Sequence, residues 1–349
     1  MIDVLTQILE WMANGERVAV ATVVRVAGSA PRPVGARMVV SSAGRMAGSV
    51  SGGCVETTVY EELMDVLQGG PPRLLEFGIT DDMIWDVGLA CGGTIHVFCQ
   101  ELDPDFIDLF VDQADEAEPF ALTMALSGPS IGEVALVTGE GVVAGDARQA
   151  TIDAARTMLD ARAPRGEVHP VAPGLDVFVE PFLPPPLLLI VGGVHVAIPL
   201  VRFAKDLGFY VVVVDPREKF ANPERFPEAD ELFVEWPDEA LARLDVDDST
   251  YVVLLTHDPK IDEPTLAAAL QTRAAYVGAI GSRGTHAARF ERLEKYGVTR
   301  EQLERVYAPI GLDLGGKSPA ETALAIIAEV VAVKNGRKGR FLREDVARG

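Results

Sequence analysis

Cysteine is scarce in this 349-residue chain, which has three: Cys54, Cys91 and Cys99. An odd number at no paired spacing excludes a disulfide framework and points to a reducing compartment, hence the cytoplasm. Three thiolates also fall short of the four that an ordinary iron–sulfur cluster takes, so a cluster-bearing enzyme component is excluded. Positive charge is in deficit as well: 31 Lys and Arg stand against 52 Asp and Glu, a formal net charge of −21. That balance speaks against nucleic acid or an anionic membrane as the main partner. Long apolar runs are missing. The longest, Leu187-Leu188-Leu189-Ile190-Val191 with its flanks, is too short and too glycine-interrupted to span a bilayer. Met1-Ile2-Asp3 leads into a helical pattern rather than a signal peptide. No internal repeat is evident, and the length predicts two domains.

Glycine, by contrast, is concentrated where chemistry is expected. Gly48-Ser49-Val50-Ser51-Gly52-Gly53-Cys54-Val55-Glu56 places glycines, serines and a thiol immediately before a helical run. Glycine lets a backbone enter positive φ and lets a ligand approach it. A helix N-terminus offers unpaired N–H groups and partial positive charge, which suit anions and thiolates. A helix over 54–68 would therefore lower the pKa of Cys54. The alternative is a tight strand-to-helix turn with a small buried cysteine as filler. A second such turn, Cys91-Gly92-Gly93, follows in the same half. Two of three cysteines in glycine-pair turns of one domain predict convergence on one site built from Gly52, Gly53, Cys54, Cys91, Gly92 and Gly93.

Along the chain, Ile2, Leu5, Ile8, Leu9 and Met12 recur at helical spacing, stopped by Asn14-Gly15. Residues 17–26 read as a strand, and the Pro/Gly-rich segment 28–35 as a loop. Weaker patterns of helix and strand run from 103 to about 182. His169 lies on a strand without Cys or His neighbours and is not counted as a ligand. Pro184-Pro185-Pro186 reads as a stiff linker. The predicted organisation is an N-terminal α/β domain with a mixed sheet (1–183), the proline linker (184–186), a Rossmann-like parallel-sheet domain (187–336) and a charged tail (337–349).

In the second half the apolar run 187–191 suits a strand buried on both faces of a parallel sheet. Gly192-Gly193-Val194-His195-Val196-Ala197, a helix, a strand and Asp215 complete a strand–turn–helix–strand–acid pattern. Asp215 stands about 20 residues beyond the glycines, the usual spacing of an acid that meets a ribose hydroxyl. The fingerprint is imperfect, because Val194 replaces the second glycine and Ala197 the third. His195 is either a phosphate donor or a solvent-facing imidazole. Thr256-His257-Asp258 and Gly281-Ser282-Arg283 follow two later strands, where open α/β sheets bind ligands. His257 and Asp258 form an acid/base pair or a helix cap, and Arg283 is a phosphate clamp or a surface ion pair. Gly315-Gly316-Lys317-Ser318 lacks the upstream glycine spacing of a Walker loop. It is read instead as a Ser318 cap with Pro319 and Glu321 in the first turn.

Several long motifs occur together: Gly28-Ser29-Ala30-Pro31-Arg32, residues 48–56, Gly88-Leu89-Ala90-Cys91-Gly92-Gly93, Val214-Asp215-Pro216-Arg217, Leu255-Thr256-His257-Asp258, 276–283 and 308–321. In this order the chain resembles the XdhC/CoxI family, accessory proteins of molybdenum hydroxylases such as xanthine dehydrogenase and carbon monoxide dehydrogenase. The resemblance implies a carrier that binds molybdenum cofactor, in its molybdopterin or nucleotide form, and delivers it to the apo-hydroxylase. It also implies a cysteine desulfurase as a second partner, which installs the sulfido ligand. Cofactor contacts are then expected at Gly52, Gly53, Cys54, Cys91, Gly92, Gly93, Gly192, Gly193, His195, Asp215 and Arg283. Cys54 is the candidate metal ligand, and Cys54, Cys91 and His257 are the candidate reactive groups. A thiolate suits soft metal chemistry, and backbone nests suit a phosphate. The competing readings are an NAD(P)-dependent oxidoreductase using the second domain and a scaffold that holds no cofactor. A homodimer is the base-rate expectation for assembly. Cys54 and Cys91 are expected to face the loops of the second domain across a cleft.

Overall fold

The computed structural model describes residues 1–78, 93–116, 118–341 and 343. The chain divides into two compact units, Met1–Pro184 and Pro185–Gly349. Cys91 and Gly92 lie outside the described residues.

The first unit runs α1 (Ile2–Ala13), β1 (Val18–Ala27), β2 (Arg37–Ser41), β3 (Met46–Gly48), α2 (Glu56–Leu67), β4 (Arg73–Phe77) and β5 (Thr94–Glu101). It continues with α3 (Pro104–Asp115), β6 (Phe120–Ala125), β7 (Val134–Thr138), β8 (Val142–Gly145), α4 (Gln149–Asp160), β9 (Glu167–Ala172) and β10 (Leu175–Phe182). Among the described residues these strands form two five-stranded sheets, ordered β3-β2-β1-β5-β4 and β8-β7-β6-β10-β9. Every pairing is antiparallel. The α/β class holds, but where a mixed sheet was expected the unit has two antiparallel ones. Side chains alternate across a strand, and β1 shows the consequence. Its Val18, Val20 and Val24 join a core with α1, α3 and the second sheet, while Ala19, Ala21 and Val23 face α2. Phe110, Phe120 and Phe182 pack together in the first of these cores, with ring centroids 5.0–5.4 Å apart.

The second unit runs β11 (Leu187–Val191), α5 (Ala197–Asp206), β12 (Tyr210–Val214), β13 (Glu231–Phe233), α6 (Pro237–Arg243), β14 (Thr250–Leu254) and α7 (Pro259–Ala269). It ends with β15 (Tyr276–Ala279), α8 (Arg283–Leu293), α9 (Arg300–Leu303), β16 (Val306–Tyr307) and α10 (Pro319–Lys334). Among the described residues its six strands are parallel, in the order β13-β12-β11-β14-β15-β16. Helices cover both faces: Leu188, Ile190, Val211 and Val213 pack with α5 and α10, whereas Leu189, Val191, Val212 and Val214 pack with α6, α7 and α8. That double burial is why these strands are uninterrupted apolar runs. The Rossmann-like order reverses between β11 and β14, so the switch point lies beside Gly192 and Thr256. Ser318 caps α10 in a reciprocal box with Glu321, so the 315–318 glycine loop ends in a helix cap rather than a Walker loop.

Candidate functional site

The stretch 48–56 folds around its own last residue. Gly48 must be glycine, because a Cβ there would lie 2.3 Å from the carbonyl oxygen of Arg37 and φ is +75°. Beyond it the backbone circles the Glu56 carboxylate. Ser49 Oγ donates to it at 2.6 Å, Ser51 N at 2.9 Å, Gly53 N at 2.8 Å and Val55 N at 3.2 Å, and the Ser51 hydroxyl donates as well. Ser51 Oγ in turn accepts from the N–H groups of Cys54 and Val55, both at 3.0 Å. The helix was expected to open at Cys54 but begins at Glu56, capped by Val55. The N–H groups expected to receive a phosphate or a thiolate are thus occupied by the protein's own carboxylate, which also suits the helix dipole. Cys54 is nevertheless an exposed, free thiol.

Burial opposes ionisation of Glu56, but the donors from Ser49 and Ser51 more than offset it and hold its pKa at about 2. A depressed carboxylate pKa contributes stability above the ordinary value of 4.5, lost as pH falls through the folded value. An NMR titration of the Ser51 and Gly53 amide shifts is therefore expected to show a midpoint near 2, abolished in Glu56→Gln. A midpoint at 4 or higher would mean that the carboxylate does not hold the loop.

The loop after β1 lies against this turn. A Cβ on Gly52 would come within 3.8 Å of Pro31 Cβ, and one on Gly93 would collide with the carbonyl oxygen of Ser29 at 2.2 Å. The structure thus brings the motif Gly28-Ser29-Ala30-Pro31-Arg32 together with Gly52 and, on its other flank, with Gly93. Cys99 is separate, fully buried on β5, and desolvation pushes its thiol up to about 12. It remains a neutral thiol at physiological pH.

In the second unit the predicted phosphate turn is closed by its own chain. A Cβ on Gly192 would lie 2.4 Å from Thr256 Cγ2, and one on Gly193 would lie 2.2 Å from the carbonyl oxygen of Phe220. Both glycines therefore admit neighbouring backbone and side chain. Asp215 is fully buried, and its carboxylate accepts from Gly193 N (3.0 Å), Arg217 N (3.0 Å), Arg217 Nε (2.8 Å) and Arg217 Nη2 (2.8 Å). The acid expected to meet a ribose instead ties the glycine turn to the loop after β12. Arg217 also stacks on Phe220, 3.9 Å from the ring centroid, and Arg225 donates to the Gly193 carbonyl at 2.8 Å. His195 and Arg283 are exposed, the latter as the first residue of α8 behind the Ser282 cap. Asp258 caps α7 through Lys260 N at 3.0 Å, leaving His257 exposed beside it.

Beyond β14 and β15 lies a buried polar cluster that local sequence signals do not announce. Asp262 accepts from the Thr256 hydroxyl and, at 2.7 Å, from Arg289 Nη2. Both partners of the ion pair are buried, and desolvation raises the Asp262 pKa against the pull of Thr256 and Arg289. Burial and the Arg289 charge lower the pKa of His286. Asp262 and Arg289 are 27 positions apart on different helices, so no short-range spacing links them. Glu56 had a usable signal, an acid at the start of a helix after a Ser/Gly turn.

No group of three or more His, Cys, Asp or Glu among the described residues is arranged to hold a metal ion. Cys54 by itself offers a metal one soft donor. No helix among the described residues is long and apolar enough to cross a membrane.

Residues 11–78 match the family described as XdhC and CoxI, and residues 188–330 match the XdhC Rossmann domain. The chain is 26% identical over 336 residues, 96% of each chain, to a Bacillus subtilis protein named as a probable subunit of xanthine dehydrogenase. It is 28% identical over 328 residues to an Escherichia coli protein named molybdenum cofactor insertion chaperone PaoD, covering 93% of this chain and 86% of that one. It is also similar to a crystal structure from Bacillus halodurans described as a xanthine dehydrogenase, with a TM-score of 0.71, 27% identity and 96% of each chain covered. With both units matched in order, and with relatives similar over nearly the whole length, this chain belongs to the XdhC/CoxI family.

Proposed function

We propose that this protein is a cytoplasmic carrier of molybdenum cofactor, which it holds during sulfuration and hands to a hydroxylase of the xanthine dehydrogenase or carbon monoxide dehydrogenase type. The observation that carries the reading is its similarity, over 93% of its length, to a protein named as a molybdenum cofactor insertion chaperone. The local geometry supports it. Cys54 is an exposed, unpaired thiol on a loop held by Glu56, beside the motif containing Arg32. In this reading Cys54 offers the metal a soft donor, and Gly52 and Gly53 keep the approach free of side chains. Cys91, Gly92 and Gly93 complete the wall in the proposal. The apo-hydroxylase and a cysteine desulfurase are the proposed partners, and a homodimer is the proposed assembly.

An NAD(P)-dependent oxidoreductase draws support from the strand order and its switch point. It is the weaker reading, because the Asp215 carboxylate already accepts four N–H bonds from Gly193 and Arg217.

The test is the pterin content of protein purified from cells that make the cofactor, read as fluorescence after oxidation. Wild type is expected to carry pterin well above a control protein, and Cys54→Ala is expected to lower the molybdenum and sulfido content of the matured hydroxylase. No pterin in wild type, together with full maturation by Cys54→Ala, would end the proposal.

A further inference from the structure

The first unit contains a cavity of about 290 Å³ that none of the readings above uses. It lies between the loop after β1, the segment before β9 and the end of β10, and three of its wall residues are prolines. That volume is near the lower end of ligand pockets, roughly 300–1,000 Å³. Proline fixes φ, so the wall is ordered before any ligand arrives.

Its wall carries two arginines and two acids. With 52 acids against 31 bases, many arginines here find carboxylates: Arg17, Arg202, Arg243 and Arg292 each pair with one, and Arg45 and Arg73 each with two. Arg32 and Arg165 both line the cavity, and neither has a hydrogen bond or ion pair among the described residues. The Arg32 Nε is buried and has no acceptor, an arrangement that natural structures seldom leave unanswered. The one carboxylate in the inner wall, Glu180, is already engaged by Arg37, which is itself fully buried. Asp3 is the other acid lining the cavity; it is exposed and pairs with the Met1 ammonium at 3.6 Å.

We propose that this cavity binds the phosphate group of a small phosphomonoester, held as a dianion between Arg32 and Arg165. Two guanidinium groups on separate loops match two negative charges, and their fork geometry suits phosphate oxygens. A carboxylate carries one charge and leaves one arginine unanswered. The assignment rests on the cavity alone and stands whether or not the protein carries a pterin. The phosphate has two sources, a free phosphomonoester or the phosphate end of the proposed cargo, since Pro31, next to Arg32, lies against Gly52.

The experiment is calorimetric titration of the full chain at neutral pH with inorganic phosphate, adenosine monophosphate and acetate. Phosphate and the nucleotide are expected to bind, and acetate at least about tenfold more weakly. Arg32→Gln and Arg165→Gln are each expected to weaken phosphate binding by about tenfold or more, the loss expected for a charge-assisted contact. Asp3→Asn is expected to tighten it, and Arg32→Lys, which keeps the charge but not the fork, to fall between. Arg165 is exposed, so its variant keeps the test valid if Arg32→Gln fails to fold. The proposal is overturned if wild type binds no phosphate, if acetate matches it, or if both glutamine variants bind as wild type does. Pterin content then assigns the source. Loss of pterin in the Arg165→Gln protein points to the cargo's phosphate, and retention points to a free phosphomonoester. Wild type that binds phosphate but carries no pterin, with Cys54→Ala still maturing the hydroxylase fully, removes the carrier role and leaves the cavity assignment intact.

Discussion

Replacing Glu180 by alanine is expected to cost the Met1–Pro184 unit about 3–5 kcal/mol of stability, the usual penalty for stranding one member of a buried ion pair. Arg37 begins β2 with its side chain at 0% exposure, and Glu180 on β10 is 12% exposed. Glu180 takes both Arg37 Nη atoms, and Nη1 also donates to the Gly35 carbonyl at 3.0 Å. Without the carboxylate, the guanidinium is left with a single carbonyl acceptor from the protein. The pair also joins the two sheets of the unit, since β2 and β10 belong to different ones. For a unit of this size, each kcal/mol moves the melting temperature by roughly 2–4 °C, so a drop on the order of 10 °C is expected in calorimetry. Glu180→Gln keeps an acceptor and is expected to lose less. A change under about 2 °C for the alanine variant, on the same scale, would show that Arg37 finds another partner and that the pair does not hold the sheets together.

The second large effect is expected at Asp215. Asp215→Ala removes the acceptor of four N–H bonds in the glycine turn and the loop after β12. Hydrogen bonds to a buried charge contribute about 1.5–3 kcal/mol each, but Arg217 is 44% exposed and recovers part of its share from water. A net loss of roughly 2–4 kcal/mol is expected on that basis, read as a lower melting transition of the Pro185–Gly349 unit. The result separates two roles. An acid that meets a ribose leaves the fold unchanged when removed and abolishes nucleotide binding. An acid that ties the chain to itself lowers stability with no nucleotide present. An unchanged melt with loss of measurable NAD(P) binding would put the oxidoreductase reading ahead of the carrier.

Much of the architecture is legible in the sequence. Leu187-Leu188-Leu189-Ile190-Val191 reads as a doubly buried parallel strand because only a strand covered on both faces is apolar without alternation. Ser318, Pro319 and Glu321 announce a helix start because each satisfies a local need of the first turn. These are short-range rules, and the structure follows them. The antiparallel pairing in the first unit was not legible, because strand direction depends on which distant strand pairs, not on the pattern within one.

The candidate site divides along the same line. Its glycines and Cys54 stand out by spacing alone, and the family motifs name the loops. What each loop holds depends on atoms far apart in sequence or on which local partner wins. Glu56 reaches back to occupy the nest, and Asp215 turns to Gly193 rather than outward. Arg37 and Glu180 are 143 positions apart, and Asp262 and Arg289 are 27 apart. Arg32 and Arg165 share a cavity only because the loop after β1 and the segment before β9 fold onto it. Local composition therefore determined the strands of the second unit, the Ser318 cap and the glycine–thiol loop. Folding alone decided which carboxylates were consumed and which arginines were left without one, because a charge pairs with whatever acceptor three dimensions bring near it.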